Sequence, residues 1–495
     1  MRSRGTSFIL RWVALLFVSA ALILAMVQLV NYSRQRGSYP AGMTIAGIPV
    51  GGLDPQSAAA RILQTYNLPV ELQYAGAVIH IDPALAGFEL DVESMLAAAD
   101  LTRTGQSFWR GYWDFLWNRQ PQPVAIPLSA NLDETRLRSY LTTEVAARYD
   151  QPATPAQPIP GTATFSPGQP GQELDTERAV IQISDALRSP SDRTVSLSFQ
   201  RTTSNRPTLQ NLQIQIQQLV DLSGFDGILG LYLLDLQTSQ GLHFAYSNGT
   251  LLPVQPDIAF TASSTIKIPI MVTYFRQFGA DVDEQTSELI LEMIRQSENP
   301  PADALMEKLE EGRGPLAVTD TLQALGLENT FLAGYFYDGA PLLAVFNTPA
   351  NQRADVATNP DLYNQTTPSD MGYLLEDIYQ CSQTGGGALV AAFPGQIDQA
   401  ECEQMVSYLA QDKIGVLIEA GVPDGTRVAH KHGWISGPLG IIQNISDAAI
   451  VYTPGGNYVL TIYSYHPTQA LWDQVSNLFA QISEAVYNYF NLPQE

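Results

Sequence analysis

The chain is poor in cysteine, histidine and lysine. Of 495 residues two are cysteine and five are histidine, and neither cysteine lies near His430 and His432, the one close histidine pair. That leaves too few ligands in one place for a zinc site, so no metal and no cofactor is expected. Positive charge is scarce as well: 26 Lys and Arg stand against 49 Asp and Glu, a formal net charge of −23. A surface that tracks a phosphate backbone needs the opposite sign, which argues against nucleic acid as a partner. Only four of the basic residues are lysines: Lys267, Lys308, Lys413 and Lys431. Arginine serves everywhere else, so a lysine kept inside a motif marks a place where an amine able to lose its proton is wanted. The low charge is not a sign of disorder. Hydrophobic residues make up 45% of the chain, enough to build cores, and the length predicts about two to four folded units.

Long apolar runs are also rare, and one stands out. Trp12 to Val30 carries no charge over 19 residues, just enough to span a hydrocarbon core of about 30 Å as a helix. Arg2, Arg4 and Arg11 precede it and Arg34 and Arg36 follow it, a bias that puts the N-terminus inside and everything after Val30 outside. The rival reading is a cleaved signal peptide, for which Met26-Val27-Gln28-Leu29-Val30 is a poor site. The pattern favours an uncleaved anchor: a single-pass protein of the cell membrane with its chemistry on the extracytoplasmic side.

Between Ser38 and Arg206 short apolar runs alternate with turn signals, predicting two small α+β units over 38–121 and 122–206. Val70 to Tyr74 and Ala77 to Ile81 read as strands. Asp54 to Leu63 reads as a helix, capped by Asp54 with Pro55 in its first turn. Asp133 to Arg148 and Asp175 to Leu187 read as further helices, and Thr194 to Phe199 as a strand. Gly52-Leu53-Asp54 and Glu173-Leu174-Asp175 each precede a helix, a hint of an internal repeat. Pro152 to Gly171, rich in Pro and Gly, reads as a connector or long loop. The run Phe108 to Trp117 holds three of the six tryptophans. It could stack on sugars or lean on a bilayer, but packing into its own domain is the expected role. Pro40 to Leu53, with Ala58 to Leu63 after it, resembles the peptidoglycan-binding domains that precede VanW-type proteins and some transpeptidases. That resemblance implies a cell-wall binder; a plain spacer fits the same residues equally well.

The last part, 207–495, carries the chemistry. After a helix from Leu209 to Leu222, the strand Gly230 to Leu236 and its partner Leu242 to Tyr246, the chain reaches Ser264-Thr265-Ile266-Lys267. On a helix the i, i+3 spacing brings serine and lysine together. A serine hydroxyl is a weak nucleophile until a base takes its proton, and a desolvated lysine can be that base. Ser297-Glu298-Asn299 and Lys431-His432-Gly433 follow in order, the second of these ahead of strands Ala448 to Tyr452 and Tyr458 to Tyr463. The series S-x-x-K, S-x-N, K-x-G resembles that of the class A β-lactamase-like and penicillin-binding serine hydrolases. Thr366-Thr367-Pro368 and Tyr452 to Tyr458 fit the same framework.

The resemblance implies a five-stranded antiparallel sheet flanked by helices, in a β-lactamase/transpeptidase-like α+β fold. It implies a serine hydrolase acting on β-lactams or D-Ala-D-Ala-type peptides. Ser264 would be the acylated nucleophile and Lys267 its proton partner. Ser297 would relay a proton to the leaving nitrogen, Asn299 would bind the substrate amide and Lys431 would supply positive potential. His432 and Gly433 would line the substrate site, and the N–H groups of Ser264 and Trp434 would form the oxyanion hole. A cell-wall D,D-peptidase and a sensor that binds wall peptides without turnover are the alternatives.

Several positions depart from the family. Glu298 stands where an Asp is usual, and His432 replaces the hydroxyl residue that bonds the substrate carboxylate. The gap from Ser264 to Ser297 is short. No glutamate occurs between Glu328 and Glu376, where the family carries its deacylating base; counting back from Pro368 lands near Asn351, with Asp355 the nearest carboxylate. Slow deacylation follows. Finally Cys381 and Cys402, outside the membrane by this topology, predict a disulfide, with two buried thiols as the other reading.

Overall fold

The computed structural model describes residues 4–119, 122–202, 206–437 and 439–492. They divide into two compact units: the chain as far as Ala153 together with 170–202, and 154–169 together with 206–492.

The first unit opens on α1 (Arg4–Gln35), in which Leu10–Gln35 is long and apolar enough to cross a membrane. Helix α2 (Pro55–Tyr66) starts as its residues dictate: Asp54 accepts from Ser57 N at 2.9 Å and Pro55 occupies the first turn. Strands β1 (Val70–Tyr74) and β2 (Ala77–Ile81) pair across Ala75-Gly76, both at positive φ, the conformation a two-residue hairpin needs. Then come α3 (Val92–Thr104), α4 (Phe108–Leu116), helical turns over 134–149, and α5 (Thr176–Arg188), capped by Asp175 through Arg178 N. The strand expected over 194–199 divides. β3 (Thr194–Ser196) lies parallel beside β1, whereas Phe199–Thr202 pairs with Gly171–Leu174. Ile62, Tyr66, Leu72, Ile183 and Leu187 fill the core.

The aromatic run corrects its expectation. Phe108, Tyr112 and Phe115 of α4 pack around Tyr32 of α1, but Trp109, Trp113 and Trp117 stay exposed at 70%, 57% and 63%. The reason is helical spacing: α1 takes one face of α4, and the three tryptophans, four residues apart, share another.

In the second unit, α6 (Leu209–Ser223) is followed by β4 (Ile228–Asp235), β5 (Gly241–Ser247) and β6 (Thr250–Leu252). Much later come β7 (Arg427–Ser436), β8 (Ile442–Tyr452) and β9 (Tyr458–Tyr465). They form one antiparallel sheet in the order β6-β5-β4-β9-β8-β7. It has six strands rather than the expected five. Asn248 and Gly249, both at positive φ, turn the chain back so that Thr250 pairs with Ser247 and a short sixth strand forms.

Both faces of this sheet are covered, which is why β4 reads as a continuous apolar run rather than an alternating one. Leu229, Leu231 and Leu233 face α6 and α11 (Trp472–Phe490). Tyr232 and Leu234 face the side of α7 (Lys267–Phe278), α8 (Asn299–Leu309), α9 (Pro368–Thr384) and α10 (Gln399–Leu409). The hairpin of Gln157–Pro158 with Phe165–Ser166 belongs to this unit too. Ala156, Ala163 and Phe165 are buried with α6 and α11, and Gln215 Nε2 donates to Thr162 O and Thr164 O at 2.8 and 3.0 Å.

Cys381 at the end of α9 and Cys402 in α10 are joined as a disulfide, Cα–Cα 5.8 Å, 21 residues apart. Closing a loop of that length removes unfolded-state entropy worth about 3 kcal/mol. Cys402→Ser should therefore lower the unfolding free energy by about that amount. Urea denaturation of wild type and variant, with and without reductant, checks this; a wild type indifferent to reductant would show that the bond does not stabilise the fold.

Candidate active site

The strand Phe260–Thr261 leads into a 3₁₀ turn, Ser263–Ile266, which runs directly into α7. Ser264 thus lies on a tighter turn than the expected α-helix, and Lys267 is the first α-helical residue. A 3₁₀ turn eclipses positions i and i+3, and Lys267 Nζ lies 3.0 Å from Ser264 Oγ. The lysine is fully buried, whereas Ser264 keeps part of its surface open.

Two further acceptors converge on that amine: Ser297 O at 2.6 Å and Asn299 Oδ1 at 2.8 Å. Ser297 follows a π-helical turn and adopts φ 61°, ψ 24°; Ser263, just before Ser264, has φ 52°. Left-handed non-glycine residues cost of order 1–3 kcal/mol and persist where the surroundings hold them. Here they aim a carbonyl at Lys267 and shape the turn that presents Ser264. Burial, then the nearby Lys431, pull the Lys267 pKa down to about 7, with Glu298 and Asp303 opposing. The Phe336 ring, 5.4 Å from Nζ, closes another side. A protonated lysine satisfies all three acceptors. As a neutral amine it has two donors and a lone pair, and can take the Ser264 proton.

Lys431, His432, Gly433 and Trp434 lie on β7, the edge strand, which packs against the Ser263–Ile266 turn. A Cβ at Gly433 would come within 2.7 Å of Ser264 N, so only glycine lets the strand and Ser264 approach this closely. Lys431 is fully buried, its Nζ donating to His432 O at 3.2 Å and Asp412 Oδ2 at 3.4 Å; burial lowers its pKa. Among the described residues no hydrogen bond joins Lys431 to Ser297. Trp434 is 36% exposed and stacks on His432 at 4.9 Å.

Beneath the strand is a buried ionic cluster. His432 Nδ1 is 2.8 Å from Asp412 Oδ2, and His430 lies between Asp447 Oδ1 and Asp412 O, 2.9 Å from each. Burial lowers the His432 pKa. For His430 burial is outweighed by Asp447, Asp412 and Glu419, and its pKa rises to about 9. Hydrogen bonding to His432 and the charge of Lys431 overcome burial at Asp412 and keep its carboxyl below the ordinary range. Asp412 was not singled out from the sequence, and nothing in its loop signals the role. Asp303 was missed as well. It lies on α8, accepts from Phe336 N at 2.8 Å, has its pKa raised by burial, and adds to the field at Lys267.

The loop before Thr366 holds its carboxylates elsewhere. Asp355 pairs with Arg353 at 2.9 Å, and Asp361 accepts from Tyr363 N and Asn364 Nδ2. Asn351 bonds Thr348, Phe346 and Gln365. Each secures the loop's own turns.

No curated protein matches the chain. Among solved structures, it is similar to PBP-A, at 24% identity over 58% of this chain and 99% of that one, with a TM-score of 0.40. It is similar to an ancestral class A beta-lactamase at 25% identity over 56% and 98%, TM-score 0.39. A beta lactamase from Xanthomonas campestris is 17% identical over 56% and 97%, TM-score 0.40. Residues 280–490 match the model of the beta-lactamase enzyme family. That segment begins after Ser264 and Lys267 and takes in Ser297, Asn299 and Lys431 to Trp434, so it is over the C-terminal half that the chain is similar to this family.

Proposed function

We propose that the second unit is a serine acyl hydrolase, acylated on Ser264 by β-lactams or D-Ala-D-Ala-type peptides. The observation that carries this is the Ser264–Lys267 pair: a fully buried amine with a pKa near 7, 3.0 Å from a partly open hydroxyl. Lys267 takes the proton as Ser264 Oγ attacks the carbonyl carbon. Ser297 Oγ passes a proton to the departing nitrogen and takes in its place the one Lys267 received, which leaves both neutral again. The N–H groups of Ser264 and Trp434 hold the oxyanion, where one lost donor costs about 3 kcal/mol in the transition state. Asn299 gives Oδ1 to Lys267 and keeps Nδ2 for the substrate amide. In the same reading α1 anchors the protein in the cell membrane with this unit outside, and 38–121 binds peptidoglycan or serves as a spacer. Labelling with a fluorescent penicillin tests the proposal: a band lost in Ser264→Ala supports it. Native protein that takes no label and hydrolyses no β-lactam would leave a wall-peptide sensor.

The Asp412–His432 pair adds a pH dependence. Asp412, ionised, claims the Nδ1 proton of His432, so Nε2 carries a proton only in the imidazolium. A substrate carboxylate is therefore anchored better as pH falls through the His432 pKa, itself below its ordinary value. KM for a carboxylate-bearing β-lactam should fall with pH in wild type and stay flat in His432→Thr. A KM equally steep in both would remove His432 from carboxylate binding.

A further inference from the structure

Helix α4 presents a stripe of tryptophan that its own unit does not cover. Trp109, Trp113 and Trp117 recur every fourth residue and are exposed at 70%, 57% and 63%, with Leu116 beside them at 40%. The opposite face is fastened to the last turns of α1. Tyr112 Oη donates to Ala25 O at 2.6 Å. Tyr32 of α1 sits 5.3, 5.6 and 5.5 Å from the rings of Phe108, Tyr112 and Phe115. Gly111 is buried in this contact, and a Cβ there would collide with the Tyr32 hydroxyl. At the upper end Arg36 lies over Phe108 at 5.2 Å, donates to Gln106 O, and accepts at its carbonyl from Arg103.

These contacts set a depth. Ala25 precedes Val30, the last residue of the apolar stretch, by five positions, or about 7–8 Å along a helix axis. Amphipathic helices of the interface bury their apolar face about 5–10 Å into the boundary between headgroups and acyl chains. Tryptophan is the residue most at home there, since its ring is apolar and its indole N–H still finds a polar partner. The neighbouring charges suit the same level: Asp114 and Arg119 pair at 3.5 Å, and Arg110 is exposed.

We infer that α4 is an interfacial membrane helix whose tryptophan stripe lies in the outer leaflet beside α1. The inference rests on the reading of α1 as a membrane anchor. Its occupant is lipid rather than a glycan or a second protein, because the helix that carries the stripe is latched to a segment apolar enough to cross a bilayer.

The test uses the full chain in vesicles of phosphatidylcholine and phosphatidylglycerol, with acyl chains brominated either near the headgroup or near the terminal methyl. Trp12 reports on α1 and the stripe on α4, so two variants separate them: Trp12→Phe, and Trp109→Phe with Trp113→Phe and Trp117→Phe. The contribution of Trp434 and Trp472 is common to both. The Trp12→Phe protein should be quenched more by shallow than by deep bromine, and adding the three stripe substitutions should remove that quenching. The triple variant alone should still be quenched through Trp12. Quenching of Trp12 without quenching of the stripe would overturn the inference while leaving the anchor standing. Quenching of neither would overturn both.

Discussion

Lys267→Arg should slow acylation of Ser264 by about 10² to 10⁴, the usual value of a general base, with no change in fold. The argument is one of protonation. Arginine can reach the same acceptors but stays charged across the accessible pH range and cannot take a proton from serine. Lys267 can, because burial and Lys431 bring its pKa to about 7. In wild type the acylation rate should therefore rise with pH through about 7 and level off above it. Ser264→Ala should give no covalent adduct at any pH. Stopped-flow acylation by a chromogenic β-lactam, with intact-protein mass spectrometry, reads both. An arginine variant acylated at the wild-type rate would mean that another group activates the serine.

The second large effect is on the way out of the acyl-enzyme. Hydrolysis needs a water activated at the ester, and without a positioned carboxylate that step forgoes about 10² to 10⁴ in rate. The loop that should supply it does not: Asp355 is held by Arg353, Asp361 by Tyr363 N and Asn364, and Asn351 has no basic oxygen. A burst of product equal to the enzyme should precede slow turnover, and the adduct should persist in the mass spectrum. Asp355→Asn should therefore leave both the burst and the slow turnover as they are in wild type. Fast hydrolysis with no burst, or slow turnover lost in Asp355→Asn, would refute the assignment of a missing base.

What could be read from the residues depended on how local the cause was. The helix cap at Asp54 was legible because a cap is a contact across three residues. The pairing of Ser264 with Lys267 was legible for the same reason, although the turn is 3₁₀ rather than α. Ser297 and Asn299 were legible through ordered motifs, but not that a left-handed serine would aim its carbonyl at the lysine. The six-stranded sheet escaped because three residues are too few for a strand pattern, although Asn248-Gly249 is a recognisable hairpin turn. The tryptophan spacing was visible, but periodicity shows that a stripe exists and not whether it is buried. Asp412 and Asp303 were not legible at all. Each acts through a contact made only when distant parts of the chain meet.

The hairpin from 154 to 169 has a practical consequence for anyone wishing to study the second unit by itself. Between it and α6 run residues 170–202, which fold with the other unit, so no single cut separates the two. A fragment begun at Arg206 would keep every residue of the candidate site. It would also strip Phe165 from its place beside Tyr489, ring centroids 6.4 Å apart. The Gln215 amide would lose both of its carbonyl partners, hydrogen bonds worth about 0.5–1.5 kcal/mol each. The fragment worth making starts at or before Thr154 and carries 170–202 with it, an unfolded strap that leaves the second unit whole.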